Sequence, residues 1–572
     1  MSEGETTAAT ADARVLALEA ALAAERAALV AMTKERDLLR GSHERLRIEL
    51  ELLKRRLFVA KAERIDTAQL EIEFAEKLRQ LDALGAVPSE SDESAPPADN
   101  KKKKRKSTGR RDLKKLPLEE VRVEIADPLY EALVAAGKAA RIGFEESCKL
   151  GWKRGGMRRV VLARVKYQVD GPGSEQTAID TTPMPPELFP RSLCAPSLLA
   201  HILMQKYGQG MPLFRIEDDF ARNGCPVDRG TMCRWVEDAG ATCGATVIHA
   251  ARQDALSAFC IATDATGVAV QPIRTHEKVR KPCKRGHYFV HIADRDYVFF
   301  EYTAKENSDA VRSMFKGYSG YVQADAKSVY DILFRSPDDK PPDDEDDGAV
   351  RHEVGCFAHC RRKFWEAAVA KSVVGREGLA RLRRVFELDA SWRGQPPDQI
   401  KRLRDAHLRP HLDAFFAWAA LEYDKVRDQR GLDRSALGYA VRQKGALLRV
   451  LDDGRLVLDN NRSERALRSI AVGRKAWLFV GSDDHAESAG HVFSLIASCR
   501  LHGLDPEAYL RDLFRVLAHW PRDRYLELAP KHWAQTRARL DSTELANEIG
   551  PLAVPTPPAA STIQKAATSG PS

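Results

Sequence analysis

Apolar residues recur with a 4-3 spacing through Val15, Leu18, Leu22, Leu29, Met32, Leu39, Leu46, Leu50, Leu53 and Leu57, interrupted at Glu25, Arg36 and His43. Charged neighbours such as Glu44, Arg45, Arg47 and Glu49 keep the other faces wet, so the spacing predicts a coiled coil within residues 1–86. Through it two copies of the chain would pair; a long helix folded back on its own body fits the same pattern. Residues 87–111 break the period with prolines and serines and then place eight cations between 101 and 111. That composition predicts a disordered basic linker, either a phosphate contact or a solvated tether.

Residues 112–190 hold the apolar run Val160–Val169 and read as a small β-containing domain. From Ala195 the pattern turns helical. A helix from Pro212 stops at Asn223-Gly224, and Asp228 is placed to cap a second one over Arg229–Ala239. Within 191–245 this pair reads as a helix-turn-helix, whose second helix would offer Arg229, Thr231 and Arg234 to a major groove. A plain helical packing unit fits as well, because residues 200–240 carry five Lys and Arg against six Asp and Glu.

Strand-like runs follow at 258–263, 288–293, 297–302, 320–324 and 353–357, with a hairpin-sized break at Asp294-Arg-Asp296. Three strands in meander, then helix, strand, helix and strand, predict an α/β arrangement on a mixed sheet over 246–365. A helical stretch over 366–450 separates this from a second part at 451–520, which includes a short strand at Trp477–Val480. A C-terminal helix and a disordered tail complete 521–572.

At 572 residues with 44% hydrophobic and 30% charged positions, the chain can bury more than one core. Ten scattered cysteines do not look like a secreted disulfide framework. The N-terminus has no basic n-region ahead of an apolar stretch, and no apolar run approaches the ~18 residues of a bilayer span. A cytoplasmic protein without membrane contact is expected. The net charge of +8 is too small over this length to prove a nucleic-acid partner, so the placement of charge has to decide.

Phosphodiester chemistry by metal ions needs carboxylates converging from separate elements. Asp264 is expected to follow one strand, Asp325 to end another, and Glu464 to lie in the first turns of a helix. If the first and fourth strands are neighbours, two acids stand side by side and the helix brings the third. Residues 455–480 surround Glu464 with Arg455, Arg462, Arg465, Arg468, Arg474 and Lys475 against two acids, which suits an approaching phosphate backbone. Asp459 reads as a cap.

Cys356, His359 and Cys360 are close in sequence, but three local ligands leave zinc without a fourth, so a packed cysteine pair with His359 near the catalytic floor is expected. Seven acids in Asp338–Asp347 read as a solvated loop. No Gly-rich loop ending in Lys-Ser/Thr points to ATP.

Ordered motifs over most of residues 195–515 resemble the DDE transposases of the insertion sequence 66 family. They include Thr231-Met-Cys-Arg-Trp235, Gln323-Ala-Asp325, Val354-Gly-Cys-Phe-Ala-His-Cys-Arg-Arg-Lys-Phe364, Asp459-Asn-Asn-Arg-Ser-Glu-Arg-Ala-Leu-Arg468 and Gly473-Arg-Lys-Ala-Trp-Leu-Phe-Val-Gly-Ser482. The resemblance implies a ribonuclease-H-like catalytic core with a helical insertion, behind the coiled coil and helix-turn-helix region. Asp264, Asp325 and Glu464 carry over as catalytic residues and ligands of two Mg²⁺ ions, with Mn²⁺ possible.

The implied partners are DNA, both element ends and target, and accessory proteins of the same element. Two departures stand out. Relatives commonly follow the first acid with Glu-Thr-Pro, whereas this chain reads Asp264-Ala-Thr-Gly267, and residues 112–190 hold only Cys148, so no structural zinc is expected there. The rival reading is a catalytically decayed relative acting as a DNA-binding regulator.

Overall fold

A computed structural model describes residues 118–153, 155–170, 177–190, 192–272, 282–335 and 348–557. The expected coiled coil, basic linker, acidic run 338–347 and the end of the tail lie outside the described residues. The first layer is a four-stranded sheet of β1 (Glu119–Ile125), β2 (Ala139–Lys153), β3 (Gly156–Asp170) and β4 (Thr177–Thr181). β3 is central, antiparallel to β2 and β4 and parallel to β1. Its run of Val160, Val161, Leu162, Val165 and Tyr167 is buried, as β-branched and aromatic residues in a central strand should be.

Three helices lead from that sheet to the larger body: α1 (Pro196–Leu203), α2 (Leu213–Arg222) and α3 (Arg229–Cys243). Asp228 caps α3 as anticipated, accepting from the Gly230 and Thr231 amides at 2.8 and 3.2 Å. The helix runs past the expected end at Ala239, because its C-terminal half is buried rather than solvent-facing.

The second sheet orders its strands β7-β6-β5-β8-β9, from β5 (Cys260–Val270), β6 (Lys284–Ala293), β7 (Tyr297–Thr303), β8 (Gly320–Gln323) and β9 (Arg351–Val354). β5, β6 and β7 are antiparallel, while β8 and β9 run parallel to β5, so the sheet is mixed as the element order predicted. Asp294 turns the β6–β7 hairpin with φ of 50° and accepts the Phe259 and Cys260 amides at 2.8 and 2.9 Å. An aspartate tolerates that left-handed conformation better than most residues.

Four further helices frame the functional end: α4 (Phe357–Val369), α5 (Asn461–Trp477), α6 (Asp483–Leu501) and α7 (Pro506–Val516). α6 covers the edge strand β7, whose Val298 and Phe300 amides donate to Ser498 and Ser494 hydroxyls at 3.0 and 2.8 Å. Those serines occupy donors that an open edge would leave unpaired. α3 crosses α6 so closely at Gly240 that any Cβ there would collide with the Ser488 backbone. Helices α1, α2 and α3 therefore share one apolar core with the second sheet.

Between β9 and α5 the chain is helical as predicted and builds its own apolar cluster around Phe364, Leu412, Phe415 and Leu437. Three local expectations need correction. Asp264 lies inside β5 rather than after it, since the strand extends six residues further to pair with β6. The expected strand 353–357 stops at Val354, and Phe357 opens α4 with its amide on the Leu458 carbonyl at 2.8 Å. The expected strand Trp477–Val480 is the last residue of α5 followed by a turn, and only Val480 forms a bridge, to Val270.

Candidate active site

The pairing of β5 with β8 sets the site. Ala262 lies opposite Gln323, and both strands run in the same direction, so Asp264 and Asp325 follow two residues beyond that pair on one side of the sheet. Gln323 is buried and donates to the Val457 carbonyl at 2.8 Å, tying β8 to the segment that leads into α5. Asn460, also buried, donates to the Thr263 carbonyl at 2.7 Å, beside Asp264. Its own amide reaches the Cys356 sulfur at 3.3 Å. These bonds hold the start of α5, and with it Glu464, over the acid-bearing strands.

Burial pushes the Asp264 carboxyl up from its ordinary value, and the Asp325 charge adds to this; the Ala265 amide at 2.7 Å, Lys327 and His359 act the other way. Asp325 Oδ1 is buried with no hydrogen-bond partner. Its other oxygen faces the Lys327 ammonium at 3.5 Å, and the same ammonium donates to Glu306 at 3.2 Å. Glu306 in turn stands 3.5 Å from His287. Glu464 points toward Arg362 at 3.3 Å and His359 Nε2 at 3.7 Å.

His359 thus faces Glu464 from the first turn of α4. Among the described residues no three His, Cys, Asp or Glu side chains close on a single point as metal ligands do. The two aspartates are near enough for the Asp325 charge to act on Asp264, whereas Glu464 is engaged by Arg362 and His359.

An oxygen-only donor set with a buried unpaired carboxylate oxygen suits a hard divalent cation of the Mg²⁺ or Mn²⁺ type, and Lys327 already brings a cation to it. The cysteines do not extend the set. Cys360 is buried in the apolar cluster, Cys356 is buried against the Asn460 amide, and burial pushes the Cys356 thiol up to about 11.

The cations divide into two groups. Arg465, Arg468 and Lys475 are exposed on the outer face of α5. Arg474 instead donates to Thr266 and the Gly267 carbonyl, clamping α5 onto β5. Arg462 is partly buried, donates to the Asp294 carbonyl at 3.3 Å, and burial lowers its pKa. These two position the helix rather than wait for phosphate, a distinction charge counting could not make. On α3, Arg229 and Arg234 are exposed, and Arg234 donates to Thr231 at 3.3 Å.

Sequence reasoning missed Asn460, Lys327 and Glu306. Asn460 lay within a quoted motif, and the two-residue offset of Lys327 from Asp325 was a visible signal. Glu306 had none.

Two carboxylates at adjacent strands of a mixed sheet thus lie beside a helix that exposes Arg465, Arg468 and Lys475. The chain belongs to the IS66 transposase family: the family model matches residues 191–488, and the model of the IS66 C-terminal element matches 494–531. Similar curated proteins come from Sinorhizobium fredii (strain NBRC 101917 / NGR234). The uncharacterized protein y4hP is 25% identical over 86% of this chain and 89% of its own length. The uncharacterized protein y4qI is 26% identical over 71% and 74%. Among the described residues no helix is long and apolar enough to cross a membrane.

Proposed function

We propose that this protein is a metal-dependent DDE transposase: it binds the inverted repeats at the ends of its element, hydrolyses a phosphodiester to leave a 3′-hydroxyl, and joins that hydroxyl to target DNA. The observation that carries the reading is that Asp264 within β5 and Asp325 just past the end of the neighbouring parallel strand β8 each follow the paired Ala262 and Gln323 by two residues, with one buried Asp325 oxygen unpaired and the start of α5 tied to β5 through Asn460. Three antiparallel strands continued by two parallel ones support a ribonuclease-H-like core, interrupted by the helical stretch before α5.

Asp264, Asp325 and Glu464 would hold two Mg²⁺ ions, or Mn²⁺. When bound, such ions stabilise charge on the attacking and leaving oxygens of an in-line displacement. The protein's own contribution is placement. Asn460 and Arg474 fix α5 against β5, His359 and Arg362 hold the Glu464 carboxylate, and Arg465, Arg468 and Lys475 take up backbone phosphates. Arg229, Thr231 and Arg234 on α3 would read the element end. Pairing through the N-terminal segment would bring two ends together in the cytoplasm, with accessory proteins of the element as further partners.

The test combines the purified chain with labelled duplexes from the ends of its own element and Mg²⁺. Asp325→Asn and Glu464→Gln should each lower strand cleavage on the order of a thousandfold and leave DNA binding intact. Arg229→Ala and Arg234→Ala should weaken binding to the element end more than to unrelated DNA. Cleavage undiminished in the carboxylate variants would refute the assignment, and an intact chain that binds without cutting would favour the regulatory reading.

A further inference from the structure

Helix α5 ends in a strained turn that throws two large apolar side chains into solvent. Leu478 has φ 66° and ψ −48°, and the Phe479 amide donates back to the Trp477 carbonyl at 2.8 Å. That is a γ-turn of the rare left-handed kind, strained for a residue with a Cβ. The strain is held from both sides. The Leu478 amide still closes the helix on the Arg474 carbonyl at 2.9 Å. Val480 exchanges backbone bonds with Ala269 and Gln271 at 2.9 and 2.8 Å, pinning the far end to β5.

What the turn presents is not core: Leu478 is 67% exposed and Phe479 43%. A surface turn free of selection for a ligand would relieve both penalties with a glycine and a polar residue. The turn also terminates a stripe. Arg465, Arg468, Val472 and Lys475 are all exposed at helical spacing along α5 and lead directly to it. Asp483, five residues beyond Leu478, pairs with Lys284 and accepts a hydrogen bond from the Tyr302 hydroxyl.

From Glu464 to Leu478 the helix advances about 20 Å at 1.5 Å per residue, equivalent to about six base steps of duplex. A cationic track ending in an apolar pair is the chemistry of a side chain inserted between bases, with phosphates neutralised on the approach.

We propose that Leu478 and Phe479 form a wedge that enters the DNA stack about six base pairs from the scissile phosphate, unstacking the duplex while Arg465, Arg468 and Lys475 hold its backbone. The inference rests on the DNA-processing reading above and adds to it a base-contacting site. The strain in the turn keeps both side chains presented before DNA arrives, so no ordering is required on binding.

The experiment uses the full chain with two random-sequence duplexes, one fully paired and one with a single mismatched step, each carrying 2-aminopurine at that step. A mismatch removes the unstacking penalty, so the parent should bind the mismatched duplex roughly tenfold more tightly and raise 2-aminopurine fluorescence. Phe479→Ser and Leu478→Ser should lose both the preference and the fluorescence rise while keeping binding to paired duplex. Lys475→Ala should weaken both duplexes equally and lower the salt dependence.

Leu478→Gly separates fold from function: with the strain relieved, its melting temperature should equal or exceed the parent's, yet the preference should fall. A preference unchanged in Phe479→Ser overturns the wedge, as does a change of that variant's sedimentation alone, which would mark a contact between copies. Absence of binding to any duplex would instead refute the DNA-processing reading on which the wedge depends.

Discussion

Two charged side chains, one in the helical stretch and one beside the second sheet, are treated in opposite ways. In the helical stretch before α5, Arg404 is 2% exposed and well matched: it donates to Asp389 at 2.9 Å, to the Val450 carbonyl at 2.9 Å and to the Asp453 carbonyl at 3.3 Å. At the end of the second sheet, Asp325 keeps one buried oxygen without a partner and shares its other side with a lysine. A buried charge whose partners come from the fold serves the fold. One left with an unpaired oxygen keeps an acceptor open to a ligand, and in this the candidate site differs from an equally polar structural node.

The comparison can be broken most forcefully at Arg404. Arg404→Ala leaves Asp389 and two carbonyls unpaired and should destabilise the chain by about 3–5 kcal/mol in urea unfolding. Asp325→Asn should cost little by the same measure. Equal losses at the two positions would erase the distinction.

A third charged node sharpens it through pH. Burial alone would raise the Asp254 carboxyl, but Tyr297 at 2.6 Å and Lys531 at 2.9 Å hold it below its ordinary value. Because the folded pKa is depressed, its stabilisation is complete above about pH 4 and is lost as pH falls through the folded value. Asp254→Asn should therefore cost about 1.5–3 kcal/mol at neutral pH and progressively less toward pH ~2. A difference independent of pH would show that packing, not charge, links these elements.

The smallest effect concerns Lys327. Its ammonium sits on the acid pair and must yield to a divalent ion, so Lys327→Gln should tighten Mn²⁺ binding roughly tenfold in a calorimetric titration, and Lys327→Arg should not. Weaker binding by Lys327→Gln would make the lysine a support of the site instead of a competitor.

Much of this was legible in the chain. The strand runs from 258 to 354 announced themselves through period and β-branched content, and Asp228 capped α3 because a side-chain oxygen before a helix satisfies amides locally. The acids Asp264, Asp325 and Glu464 could be singled out by position and by the resemblance of their surroundings. What failed was local and tertiary at once. Trp477–Val480 has the composition of a strand, yet its first residue is spent closing α5 and its next forms the strained turn. The cations of α5 looked equivalent, and only packing separated Arg462 and Arg474, committed to backbone carbonyls, from the exposed three.

Sequence by itself determined most of the elements, their order, and the family whose chemistry the acids resemble, because periodicity, capping and motif spacing act over a few residues. Tertiary structure alone decided that β5 and β8 are neighbours in a register that pairs Ala262 with Gln323, two residues before each aspartate, that Asn460 ties the start of α5 to β5, and that one Asp325 oxygen is left unpaired. Those outcomes depend on contacts between residues as far apart as Thr263 and Asn460, where no local preference of the chain can reach.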